Sequence, residues 1–252
     1  MAVLKVEDVS KSFDSEKIIE NISLELHEGE IVSLLGVSGG GKTTLFNIIA
    51  GLNLPDEGSV WLDGEDVTCI PGNVSYMLQK DLLLPYRTIL DNVAMPLMIR
   101  GMKKKEAREI AAPYFQEFGL EGTEKKYPAQ LSGGMKQRAA LLRTYLFSMQ
   151  RRKKVALLDE PFSALDMLTK QAMHEWYLDV MEKIQLSTIF ITHDIDEAIL
   201  LSDRIYLLTG KPGLITKEIV IGEPKPRRKD FHLTEEFLTY KREILSHLKN
   251  DF

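Results

Sequence analysis

The run GVSGGGKT, Gly36 to Thr43, constrains this chain more than any other segment of it. An apolar stretch, Glu30 to Leu35, precedes it, and a helical pattern from about Lys42 to Ala50 follows. In that setting the run matches G-x-x-x-x-G-K-[ST], the phosphate-cradling loop between a strand and a helix. Glycines 39 to 41 let successive backbone N–H groups turn inward and approach phosphate oxygens closely. The helix adds the positive end of its dipole. Lys42 is placed to reach the β- and γ-phosphates, and the Thr43 hydroxyl to ligate Mg²⁺. Strand, glycine loop and helix in succession open a parallel α/β sheet. Alone, the run specifies a nucleotide phosphate, either ATP or GTP.

The 252 residues allow one large α/β domain or two small ones, and 44% hydrophobic residues suffice for a packed core. A net charge of −5 gives no electrostatic reason to expect nucleic-acid binding. The single cysteine, Cys69, excludes an intramolecular disulfide and a cysteine-based metal cluster, and reads as a reduced thiol. MAVLKVEDVSKSF alternates like a strand rather than a signal peptide. Apolar runs such as LFNIIAGL fall far below the roughly 20 residues that span a bilayer. Any membrane role is therefore expected to be peripheral.

Strands are expected at Val3 to Val6, Ile18 to Leu26 and Glu30 to Leu35, then again at Val155 to Leu158, Thr188 to Ile191 and Arg204 to Leu208. Between Gln79 and Gln150 the pattern turns helical, with helices at Lys103 to Phe118 and Gly133 to Met149. Further helices are expected at Met167 to Lys183 and Ile195 to Leu201. EPKPRRK, Glu223 to Lys229, reads as a linker, and Thr234 as the N-cap of a terminal helix with an apolar stripe at Phe237, Ile244, Leu245 and Leu248.

Two further segments carry chemistry. VALLDE, Val155 to Glu160, is an apolar strand ending in two acids. Its C-terminal end in an α/β sheet faces the ligand crevice, so Asp159 can hold Mg²⁺ through water and Glu160 can polarise an attacking water. LSGGMKQR, Leu131 to Arg138, places Ser132, Gly133 and Gly134 at the positive end of a helix, a second anion site. One chain thus carries two phosphate cradles, although one ATP has a single γ-phosphate. A head-to-tail dimer resolves this, the phosphate loop of one copy facing the Ser132 turn of the other.

With these motifs, the sequence resembles the nucleotide-binding domain of ABC transporters over nearly its whole length. Gln79 after a strand, SALD at Ser163 to Asp166, and His193 after STIFIT complete the family's order. The resemblance implies an α/β fold: a P-loop NTPase core of ABC type with an antiparallel β subdomain and an inserted α-helical subdomain. It assigns residues 1–222 to the ATPase domain, about 80–150 to the helical insert, and 223–252 to linker and C-terminal helix. ATP contacts are implied for Phe13, Gly36, Val37, Ser38, Gly39, Gly40, Gly41, Lys42, Thr43, Thr44, Ser132, Gly133, Gly134 and Asp166. Mg²⁺ is implied at Thr43, Gln79 and Asp159, and catalytic roles for Glu160, His193, Lys42 and Gln79. Phe13 stands where an aromatic stacks on adenine, and Phe keeps that face without a hydroxyl.

Met135 replaces the Gln common in the family but leaves the serine and glycines in place. LSGGM, LLLPYRTILDNVAMPL (82 to 97) and THDIDEAILLSDRIYLLT (192 to 209) are similar to importers of the nitrate, sulfonate and taurine type, and related pyrimidine-precursor importers look alike. The implied partners are a second copy, transmembrane permease subunits receiving Leu82 to Tyr86, and indirectly an extracytoplasmic solute-binding protein; no nucleic acid is implied. The implied location is the cytoplasmic face of the plasma membrane. An exporter subunit, a soluble ABC protein of translation or repair, and a regulatory nucleotide-binding protein without turnover are the alternatives. The tail helix is open to folding back, pairing with its mate, or regulating. Basic runs at Lys103 to Lys105, Arg151 to Lys154 and Arg227 to Lys229 read as solvated faces.

Overall fold

Alternation of apolar and polar residues from Ala2 onward produces a hairpin of two long strands, β1 (Ala2–Phe13) and β2 (Glu16–His27). Asp14 and Ser15 turn it with φ of 48° and 68°, the double positive φ whose twist matches that of the strands. The computed structural model describes residues 2–149, 153–225, 227–228 and 230–248. Arg151, Arg152, Lys229 and the last residues of the tail, 249–252, lie outside them.

The phosphate-loop unit follows as β3 (Ile31–Leu35), buried at every residue, and α1 (Lys42–Ile49). Three short strands come next: β4 (Glu57–Leu62), β5 (Glu65–Asp66) and β6 (Ser75–Met77). The helical stretch comprises α2 (Ile89–Val93), α3 (Met95–Ile99), α4 (Lys104–Ala111), α5 (Tyr114–Glu117) and α6 (Gly133–Ser148). Then β7 (Val155–Asp159), α7 (Met167–Ile184), β8 (Ser187–Thr192), α8 (Ile195–Leu201), β9 (Arg204–Thr209), β10 (Leu214–Val220) and α9 (Glu235–Leu248) complete the chain.

Two sheets result. One is antiparallel, in the order β2-β1-β4-β5. The other runs β10-β9-β3-β8-β7-β6, parallel from β9 to β6 with β10 antiparallel on its edge. Leu4, Val6, Leu24, Leu34, Phe46, Val60 and Ile189 share one core between the sheets and α1. A second core joins Leu158 and Phe190 of the parallel sheet to the helical stretch and α7. There Phe118 stacks on Tyr145 (5.8 Å) and meets Trp176 edge-on (6.1 Å), fastening that stretch to α7. β3, β7 and β8 therefore all end at one crevice, the usual ligand side of an open α/β sheet.

Several local expectations change. Lys103 to Phe118 forms two helices rather than one, because Pro113 cannot donate the next intrahelical hydrogen bond. β1 runs to Phe13 because pairing with both β2 and β4 extends it beyond its apolar start. β4, β5 and β10 were not legible: β4 contains Gly58 at φ +83°, and β10 is an edge strand, exposed along much of its length. The tail folds back on its own domain. Phe231, Phe237 and Ile244 pack with Ala198, Ile199 and Leu207, and Thr234 caps α9 by accepting from Phe237 N (3.2 Å). Lys225 Nζ to Asp203 Oδ2 (2.7 Å) and Arg227 Nε to the Leu200 carbonyl (2.8 Å) pin the linker.

Candidate nucleotide site

Two glycines of the phosphate loop are there because backbone and side chains leave no room. A Cβ at Gly36 would stand 2.2 Å from the Leu208 carbonyl oxygen, and one at Gly41 2.3 Å from Ile19 Cγ2. Gly41 also holds φ +88° as the N-cap of α1. Lys42 lies folded over the loop, donating to the carbonyls of Gly36 (2.9 Å) and Val37 (2.7 Å). Burial pulls its ammonium below the usual lysine range, while Glu160 and Asp159 favour the charged form. The loop floors a cleft of about 260 Å³, lined by Ile18, Ser38, Gly39, Gly41, Lys42, Thr43, Thr44, Asp159, Glu160 and Ile191.

The two acids differ in setting. Asp159 ends β7, nearly buried. Burial and the neighbouring Glu160 charge raise its pKa, opposed by Lys42, Tyr76 and Thr43. Glu160 turns the chain sharply at φ +46°, a conformation costly for a non-glycine residue. Its N–H donates to the Ile191 carbonyl (3.1 Å), and its carbonyl accepts from Ser163 N (3.2 Å) and Oγ (3.0 Å). The turn lifts its carboxylate between two partners: Gln79 Nε2 donates to Oε2 (3.0 Å), and His193 Nδ1 meets Oε1 (3.2 Å). Gln79, Glu160 and His193 come from three segments far apart in sequence and meet above β6, β7 and β8.

Oxygen donors at Thr43 and Asp159 beside a second carboxylate suit a hard divalent cation such as Mg²⁺, whose charge would offset both the burial and the Glu160 repulsion that raise Asp159. Ser132, Gly133, Gly134, Asp166 and Phe13 do not line this cleft. Ser132 caps α6, accepting from Met135 N (3.3 Å), so the turn is built as a helix N-terminus. Asp166 caps α7, accepting from Thr169 N (3.1 Å) and Oγ1 (2.6 Å). Phe13 sits half-exposed at the hairpin tip with Lys11 Nζ 5.4 Å from its ring centroid.

Other residues supporting the site carried no local signal. Arg143 on α6 donates to the carbonyls of Leu82 (2.9 Å) and Asp81 (2.6 Å), fixing the segment after Gln79. Buried Asn92 accepts from Leu84 N (2.6 Å) and donates to the carbonyls of Leu84, Arg87 and Thr88. Ile18 and Ile191 line the cleft as ordinary strand residues whose positions only the sheet order reveals.

A family model described as ABC transporter matches residues 19–163. The formylaminopyrimidine import ATP-binding protein ThiZ of Halalkalibacterium halodurans is 48% identical over 211 residues, 83% of this chain and 81% of that protein. The nitrate import ATP-binding protein NrtD of a Synechocystis species is 37% identical over 256 residues, 98% of this chain and 95% of that protein. Among solved structures, a dimeric ATP-binding cassette in a post-hydrolysis state with ADP and Pi superposes with a TM-score of 0.72 at 30% identity, covering 86% of this chain and 98% of that one. The fold and site define a P-loop nucleoside triphosphatase. The chain belongs to the ABC transporter family and is an ATP hydrolase of that family.

Proposed function

We propose that this protein is the ATP-hydrolysing subunit of an ABC importer, working as a head-to-tail pair at the cytoplasmic face of the plasma membrane. Residues 1–222 form the motor, with the helical insert at about 80–150, and the described residues of the 223–252 linker and helix brace it. The observation that carries the reading is the division of the phosphate-binding parts. Lys42, Asp159 and Glu160 line one cleft, and Gln79 and His193 meet Glu160 there, while the Ser132 turn caps the start of α6, outside both that lining and the Glu160 contacts. A second copy supplies that turn, closing Ser132, Gly133, Gly134 and Asp166 over ATP held by the Gly36–Thr44 loop, with Phe13 against adenine.

In this reading the loop amides and Lys42 hold the β- and γ-phosphates. Thr43, Asp159 and Gln79 would hold Mg²⁺, directly or through water, and the ion would supply neutralisation of the phosphate charge. Glu160 accepts the proton of the attacking water, with Gln79 and His193 fixing its two oxygens and His193 facing the γ-phosphate. These groups belong to the transition state rather than to binding, so their loss lowers turnover more than affinity.

A second cavity, of about 410 Å³, supports permease partners. Its wall is largely apolar, including Leu52, Leu82, Met95, Pro96 and Ile99, and Ile99 is 77% exposed. Such a groove suits an apolar helix end. Leu82, three residues after Gln79, lines it, so an occupant there would act on the segment that leads from the hydrolytic cluster; Tyr86 of the same segment is exposed. An extracytoplasmic binding protein would deliver the solute, nitrate, a sulfonate, taurine or a similar small molecule; import relatives named for formylaminopyrimidine and for nitrate support a small solute without choosing among these.

Hydrolysis per chain measured against protein concentration tests the composite site. The rate is expected to rise as the dimer forms. A constant rate per chain in a proven monomer overturns the reading.

A further inference from the structure

His193 reaches Glu160 from the short connection between β8 and α8, flanked by residues held by other elements. Before it, Thr192 Oγ1 accepts from Asp194 N (3.0 Å). After it, Asp194 caps α8, its Oδ1 accepting from Asp196 N (3.0 Å) and Glu197 N (3.2 Å). The other oxygen of that carboxylate belongs to a different helix: Lys170 Nζ of α7 stands 2.6 Å from Asp194 Oδ2. The same ammonium lies 2.9 Å from Glu197 Oε2, a carboxylate on a residue only 3% exposed.

Lys170 stands four residues, one helical turn, beyond Asp166, and its N–H donates to the Asp166 carbonyl (2.8 Å). One turn of α7 therefore carries Asp166 at its start and the cation that grips Asp194 at its end. The network also reaches the turn that bears Glu160. His174 Nε2 approaches Glu197 Oε2 (3.4 Å), and its ring packs edge-on against Phe162 at 4.9 Å. A lysine used only for solubility would extend into water; this one is largely covered, gripping two carboxylates on the helix that follows His193.

We propose that Lys170 is a positioning residue for hydrolysis: by gripping Asp194 and Glu197 it holds His193 against Glu160 and couples that histidine to Asp166 one helical turn away. The inference rests on the reading that His193 acts on the bound nucleotide. Movement of Asp166 as a second copy docks is then transmitted through Lys170 to the hydrolytic cluster. Its geometric demand is strict, because misplacing a catalytic group by about 1 Å costs up to about a hundredfold in rate.

The test uses the full chain with Mg-ATP, following kcat, KM, ATP affinity by calorimetry and the thermal midpoint. Lys170→Met keeps the length and removes the charge. The expected result is a fall in kcat of about tenfold, with ATP affinity changed less than about twofold, and recovery of at least half the rate in Lys170→Arg. Asp194→Asn keeps a cap oxygen but loses the charged grip, and should show the same split; it decides the matter if Lys170→Met fails to fold. Combining either substitution with His193→Ala should be no slower than His193→Ala alone, within about twofold, because both act through the same histidine. Rates of Lys170→Met and Asp194→Asn within about twofold of wild type overturn the proposal, as do losses that multiply in the double variants. If His193→Ala alone keeps the full rate, the reading of the site fails and the bridge with it; if His193→Ala loses the rate but neither bridge variant does, only the bridge fails.

Discussion

Replacing Glu160 by Gln separates chemistry from architecture in this site. Glutamine has the same shape and the same backbone cost at φ +46°, so the strained turn is common to both proteins. Both side-chain contacts can also survive. The amide oxygen can accept from Gln79 Nε2, now at 3.0 Å from Oε2, and the amide nitrogen can donate to His193 Nδ1, now at 3.2 Å from Oε1, when the histidine proton sits on Nε2. Exchanging one hydrogen bond for another changes stability by less than about 1 kcal/mol. What cannot survive is proton acceptance. General-base catalysis is worth about 10²–10⁴ in rate, or about 2.7–5.4 kcal/mol of barrier. Ground-state binding moves the other way. Glu160 is one cause of the raised Asp159 pKa, so removing its charge leaves less repulsion beside the phosphates. The variant is therefore expected to bind ATP at least as tightly as wild type, accumulate as an ATP-bound dimer in light scattering, and lose at least about a hundredfold in single-turnover hydrolysis. A rate within about threefold of wild type would remove Glu160 as the base. Loss of ATP binding in parallel would show that its role is structural.

Three shorter predictions follow from the same geometry. Gly41→Ala combines a left-handed φ of +88° with a 2.3 Å contact to buried Ile19, and should cost about 2–5 kcal/mol in urea unfolding. Gly39→Ala meets open space and should cost only about 1–2 kcal/mol; equal losses would refute the steric argument. Arg108, bidentate at 2.7 and 2.9 Å, and Lys104 hold the Asp91 carboxyl below its ordinary 3.8. A depressed native pKa contributes stability that is present above the unfolded value and lost as pH falls through the native one. Asp91→Asn should therefore destabilise by about 1–3 kcal/mol at pH 7 and converge with wild type well below pH 4, as read by thermal melts across pH. Phe231, fully buried and edge-on to Phe237 at 5.5 Å, should on truncation to Ala cost the tail about 3–5 kcal/mol. Hydrogen exchange in α9 should rise while ATP hydrolysis per chain persists; loss of hydrolysis would show that the tail does more than brace.

By itself the sequence determined whatever depends on short-range chemistry. Gly36 to Thr43 must be glycine-rich where backbone crowds it and where φ is positive, and a buried parallel strand must be apolar until it ends in Asp159 and Glu160. The positive φ at Gly39 and Gly41 and the apolar run of a buried strand are local requirements that leave a pattern in the string of letters, whereas the crowding comes from Leu208 and Ile19 on distant strands. β4, β5 and β10 left none, because edge strands and glycine-broken strands owe their existence to the partner they pair with. Nothing in the sequence around Arg143 or Asn92 announces that one holds the segment after Gln79 and the other organises residues 84 to 88. The meeting of Gln79, Glu160 and His193 was implied only by likeness to a family, and tertiary structure gave it distances. Lys170 lies furthest from legibility: a lysine in a helix reads as a solvated face. Only the packing of α7 beside α8 turns it toward two carboxylates, because a charge's partners are set by what the fold brings within reach, not by what precedes it in the chain.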